Sequence, residues 1–201
     1  MRLVIALIVW AAAIAGAAGL SSVVAQHVHT EQASASVDAS KVTATNSLSM
    51  FRTANFAKAL AIAQKKLGAD AQLDQLVVYP GYADFTAVKG GTEVDLYVNV
   101  TGTADVTTGG TPGDEPLFPL SKFKASDPEA LAARIAKAGH VPQAGLNYMV
   151  AQADPITRHF DWLIYPQKGH GVDYFQTSGP ARRLFVYKTN SQTGLTRVRG
   201  T

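Results

Sequence analysis

The sequence predicts an α+β fold. Two tandem units, each one helix followed by a three- to four-stranded antiparallel meander, stand behind an N-terminal transmembrane or signal helix. Three observations predict it. Residues 3 to 25 carry no ionisable side chain. Phe56 to Gly68 and Ser126 to Gly139 place apolar residues at helical spacing and end on glycine. Each is followed by short alternating runs broken by glycine turns, and the second set resembles the first.

Taking the elements in order, Leu3 to Ala25, "LVIALIVWAAAIAGAAGLSSVVA", follows Arg2 directly. At about 1.5 Å per residue it is long enough to cross a roughly 30 Å hydrocarbon core. Either it anchors the chain as a single pass with the C-terminal region outside, or it is cleaved after Ala25 and the protein is secreted. Residues 26 to 49 are small, polar and unpatterned, and read as a flexible tether. His27 and His29 within it form an H-x-H pair, an incomplete metal site without a third ligand. No cofactor or metal is predicted.

The first unit spans residues 50 to 106. Its helix puts Phe56, Ala59, Leu60, Ala63 and Leu67 on one face, and Leu73 to Pro80 is its first strand. The second unit spans residues 126 to 201. Its helix carries Leu131, Ile135 and Ala138, with Ser126 or Asp127 as N-cap and Pro128 in the first turn, and Leu146 to Pro155 is its first strand. "ADFTAVKGGTEVDLY", Ala83 to Tyr97, then matches "FDWLIYPQKGHGVDYF", Phe160 to Phe175. Asp84 and Phe85 fall on Asp161 and Trp162, Lys89 and Gly90 on Lys168 and Gly169, and Asp95 on Asp173. A helix on one meander leaves a sheet face bare, so two units are expected to join edge to edge or to sandwich their helices. Residues 107 to 125, dense in Gly and Pro, form the linker, with Phe118, Leu120 and Phe123 as its anchors.

Composition narrows the function. Cysteine is absent, which removes disulfides, thiolate nucleophiles and cysteine-held zinc. A net charge of +3 is too mild for a dedicated nucleic-acid binder. The charge is uneven. Glu31 to Leu120 holds 10 acidic and 6 basic residues, and Ser121 to Thr201 holds 5 acidic and 11 basic. The basic C-terminal stretch, with Arg182, Arg183, Lys188, Arg197 and Arg199, suits either complementary packing of the halves or contact with anionic lipid or envelope polymer.

"VYKTNSQTGLTRV", Val186 to Val198, together with the order of elements, resembles the closing phrase of PepSY-like domains and the tandem repeats of the beta-lactamase inhibitor protein family. The resemblance covers roughly residues 53 to 201. It implies a non-catalytic, inhibitory or regulatory module of the cell envelope, and no family binding residue carries over.

Catalytic patterns are weak. Ser121 to Lys124 matches S-x-x-K but lies in the linker, and Lys188-Thr189-Asn190 is not the K-T-G companion. His140, His159 and His170 stand alone. Asp84 with Asp95, and Asp161 with Asp173, suit a hydrolase only if each pair meets across strands; their alternation with apolar residues instead puts them on the solvent side of a half-buried sheet. The expectation is a non-enzymatic binding module for a protein or envelope polymer, with Trp162, Tyr165, His170, Phe118, Arg182 and Arg183 as its surface. The alternatives are an envelope hydrolase using the strand aspartates and a structural domain contacting anionic lipid.

Overall fold

The structure, a computed structural model, describes residues 37–154, 157–190 and 194–198. The apolar segment 3–25, His27 and His29 lie outside the described residues, as do residues 191–193 and 199–201. No helix among the described residues is long and apolar enough to cross a membrane.

Helix α1 (Thr53–Leu67) precedes strands β1 (Gln72–Val78), β2 (Tyr82–Lys89), β3 (Thr92–Asn99) and β4 (Ala104–Thr108). A two-residue strand, β5 (Phe118–Pro119), leads to helix α2 (Asp127–Lys137). Then come β6 (Leu146–Ala153), β7 (Phe160–Pro166), β8 (Tyr174–Thr177), β9 (Phe185–Asn190) and β10 (Gly194–Val198). The main path of the antiparallel sheet is β10-β9-β8-β7-β6-β1-β2-β3-β4, and β5 pairs with β1.

The two meanders therefore meet edge to edge through their first strands. Val77 stands opposite Val150, with Leu76 facing Ala151 and Val78 facing Met149, so the register is symmetric about the valine pair. Each of these strands also carries an irregularity at the same distance before its valine, between Leu73 and Gln75 and between Leu146 and Tyr148. Counted outward from the valines, Leu76 pairs with Phe85 and Met149 with Ile164, while Val78 pairs with Ala83 and Ala151 with Trp162. The pairing thus sets Phe85 against Ile164 and Ala83 against Trp162. The sequence match of Phe85 with Trp162 is displaced by two residues, a shift that keeps the face and so escapes a period-2 reading.

Both helices cover one face. The core joins Phe56, Ala59, Leu60 and Ala63 of α1 and Leu131, Ala132 and Ile135 of α2 to inward side chains of nearly every strand, Leu76, Phe85, Leu96, Met149, Trp162, Ile164 and Phe175 among them. Helix α1 ends at Gly68, whose φ of 110° lies where a side chain would be strained. Its N-cap residue Arg52 supplies no side-chain bond. A residue of the other helix does: the Glu129 carboxylate accepts from the Thr53 backbone N–H at 3.0 Å and the Thr53 hydroxyl at 2.6 Å, and lies 3.4 Å from the Arg52 guanidinium. At the start of helix α2 the N-cap position is Ser126, whose side chain makes no capping bond, while the carboxylate of Asp127, the first helical residue, accepts from the Lys124 N–H upstream of the helix.

Two expectations about connecting segments need correction. From Val37 onward the expected tether is packed chain. Val42, Ala44 and Ser49 are buried, the Met50 N–H donates to the Pro80 carbonyl at 2.7 Å, and Asn55 donates to the Ser47 and Ser49 carbonyls. A Cβ at Gly81 would collide with the Ala39 carbonyl, so this strap lies on a position only glycine can fill. The small side chains that read as a tether are the ones that permit that approach. The 107–125 linker, likewise, is tied down at its second half: Phe118, Leu120 and Phe123 are buried in the core rather than resting on the surface. The Phe118 ring meets Phe123 and Phe160 edge-on, with centroids 5.7 and 4.8 Å away.

Candidate functional site

Strand alternation gives the other, helix-free face, which carries no helix among the described residues, a different set of side chains, and all seven tyrosines of the sequence stand on it. Tyr82 lies beside Tyr79, whose N–H donates to its carbonyl at 2.8 Å. Tyr148 is opposite Tyr165, and Tyr174 opposite Tyr187. The register joins these six into one row across six neighbouring strands, with Tyr97 added diagonally on β3.

The rings touch throughout. Centroid separations along the row are 5.1 Å for Tyr97–Tyr82, 4.6 Å for Tyr82–Tyr79, 5.0 Å for Tyr79–Tyr148 and 4.6 Å for Tyr148–Tyr165. The row ends with Tyr165–Tyr174 at 5.7 Å and Tyr174–Tyr187 at 4.5 Å. Four of the six pairs stack, at interplanar angles from 11° to 28°. This is cross-strand pairing carried through a whole sheet, each contact contributing about 0.5 to 1.5 kcal/mol beyond burial. In the stacked pairs the ring faces are turned to neighbours, so anything that approaches the row meets ring edges first.

Tyr174 is buried and the other six are half-buried. Burial pushes Tyr97 and Tyr148 up to about 12 and raises Tyr82, Tyr165, Tyr174 and Tyr187, with neighbouring tyrosines and aspartates adding to the effect for most of them. These phenols stay protonated in any ordinary medium, as neutral groups that can both donate and accept.

Parallel rows flank the tyrosines. The next runs Tyr97, Asp84, Val77, Val150 and Leu163 to Gln176 and Phe185. Beyond it, Thr86 donates to Asp95 at 2.8 Å, Gln75 to Gln152 at 3.1 Å, and Gln176 to Asp161 at 2.7 Å; Ser178 also donates to Asp161. Asp84 is the most perturbed carboxyl, pushed up to about 7 by burial and then by the charge of Asp95. At the far end, the Arg183 and Arg197 guanidiniums lie 5.3 and 4.4 Å from the Phe185 ring centre.

The expected surface divides sharply. Tyr165 stands in the middle of the row, and Arg183 at its basic end. Trp162 and Phe118 are 1% and 3% exposed and belong to the core, because both face the helices. His170 packs against Gly145, where a Cβ would meet its ring. Arg182 is exposed, and its carbonyl accepts from Arg134 of α2. The aspartates do lie on the helix-free face, yet Asp161 is buried under its hydrogen bonds rather than solvated. Asp173, which accepts from Thr189, lies at the other end of the β7–β8 hairpin from Asp161, so that pair does not meet. Sequence reasoning missed six of the seven tyrosines. The signal was partial: each shares its face of the strand with at least one polar residue, but Val77, Val150, Leu163 and Phe185 share that face too, which blurs the alternation.

No protein-family model and no curated protein matches this chain. One solved structure shares partial likeness: a Clostridium difficile 630 protein, provisionally described as a lipoprotein, is 16% identical with a TM-score of 0.41, covering 73% of this chain and 91% of that one.

Proposed function

We propose that this protein is an exported, membrane-tethered and non-catalytic binding module of the cell envelope, and that the tyrosine row is its binding face. The continuous row of seven tyrosines carries the reading, since side chains on a helix-free face need only be polar to keep a sheet soluble. The uncharged stretch 3 to 25 after Arg2 supports export and anchoring. The two units are tandem copies in this reading, a duplication supported by the symmetric register at Val77–Val150 and by the matching irregularities in β1 and β6. The joined sheet offers one partner a face that neither unit could offer alone.

The test is affinity capture from envelope extracts of the cells that make the protein, using the parent, the Tyr148→Ser/Tyr165→Ser variant and Lys137→Ser on the exposed side of α2. Material held by the parent and by Lys137→Ser but lost from the tyrosine variant is the expected result. Equal capture by all three would overturn the assignment of the face.

A further inference from the structure

We infer that the tyrosine row receives a neutral, extended glycan chain lying across the strands, with one sugar per tyrosine; this rests on the reading of the row as a binding face. Six tyrosines in register on adjacent strands present hydroxyl-bearing edges every 4.8 Å or so over about 24 Å. A matching ligand must itself be linear and periodic. An extended β-1,4-linked pyranose chain advances by close to one strand spacing per sugar, so each residue meets an equivalent phenol edge.

The chemistry of the face selects within that class. Ligands that need aromatic faces, such as nucleobases or quaternary ammonium groups, find those faces occupied by neighbouring rings along the row. An extended peptide adds at a sheet edge, which among the described residues is β4 or β10, and gains no register from a sheet face. Sugar hydroxyls need partners that both donate and accept, which phenols kept neutral by burial provide, together with the Gln75, Gln152 and Gln176 amides of the adjoining rows. Asp95 and Asp161 lie along the same face and repel a polyanion, whereas Arg183 and Arg197 are confined to one end.

The experiment is a calorimetric and NMR titration of the full chain in detergent micelles with neutral cello- and chito-oligosaccharides of two and six residues. A sulfated glycan of similar length is the polyanionic comparison. The hexamer of at least one neutral series is expected to bind about tenfold more tightly than its dimer, because successive sugars engage successive tyrosines. Tyr148→Phe/Tyr165→Phe keeps the stacked rings and removes two hydroxyls; it is expected to weaken hexamer binding about fivefold with an unchanged unfolding midpoint. Equal binding of dimer and hexamer, tighter binding of the sulfated chain, unchanged affinity of the Phe variant, or no binding of either neutral series would each overturn the glycan assignment. If glycans fail while envelope capture still depends on Tyr148 and Tyr165, the binding face stands and only the ligand class falls. If both fail, both readings fall.

Discussion

The two faces of this sheet are built from the same strands and solve different problems. The helix-covered face is filled with Leu, Phe, Met, Ile and Trp of varied shape, which interlock with α1 and α2. The opposite face repeats one side chain along a single row, in contacts between neighbours across strands. Packing against a helix demands complementary volumes, so residues there are unlike one another. A repeated side chain at a fixed spacing meets a different demand, contact between neighbouring strands. Most of the folding energy therefore resides on one side of the sheet, and in the proposed reading the recognition chemistry resides on the other.

That contrast can be broken by mutation. Trp162→Ala, on the helix side, is expected to cost about 3 to 5 kcal/mol in urea unfolding. Tyr148→Ala, on the other side, loses two ring contacts, to Tyr79 and Tyr165, and should cost about 2 kcal/mol. A Tyr148→Ala loss as large as that of Trp162→Ala would remove the distinction. Asp84 sharpens it through pH. Its folded-state carboxyl is pushed up to about 7 from an ordinary value near 3.8, so the folded form binds the proton more tightly than the unfolded chain. Stability should therefore fall as pH rises from 4 to 8. Asp84→Asn should flatten that slope and gain about 1 kcal/mol at the alkaline end, as read from unfolding midpoints across the series. Glu129 has the opposite sign. Hydrogen bonds from Thr53 hold its carboxyl below the usual range, so its contribution is present above the ordinary carboxylate value and fades as pH falls through the lowered one. Glu129→Ala should cost about 1 kcal/mol, the usual loss for a helix cap, and less in acid.

The two helices, the meanders and their order were legible because periodicity and glycine stops are local. Their junction was not: nothing local in Leu73–Pro80 or Leu146–Pro155 says that Val77 will meet Val150. The strap at residues 38–49 was misread because Ala, Ser and Thr look alike in a tether and in a segment lying close against Gly81. Trp162 stands out in sequence as peculiar to its hairpin and Phe118 as an aromatic in a Pro-rich loop, but a large aromatic signals core as readily as contact. Tyr165 was found as a peculiarity of one hairpin, whereas its meaning lies in five neighbours brought beside it by register, from strands as distant in sequence as β2 and β9.

The most direct measurement places a photo-crosslinking benzophenone side chain at Tyr165 in one full-length protein and at Lys137 on α2 in another, each irradiated in intact cells. Adducts formed from position 165 and not from position 137 are the predicted result. Adducts from position 137 alone, or equally from both, would contradict the claim that the tyrosine face is where this protein meets its partner.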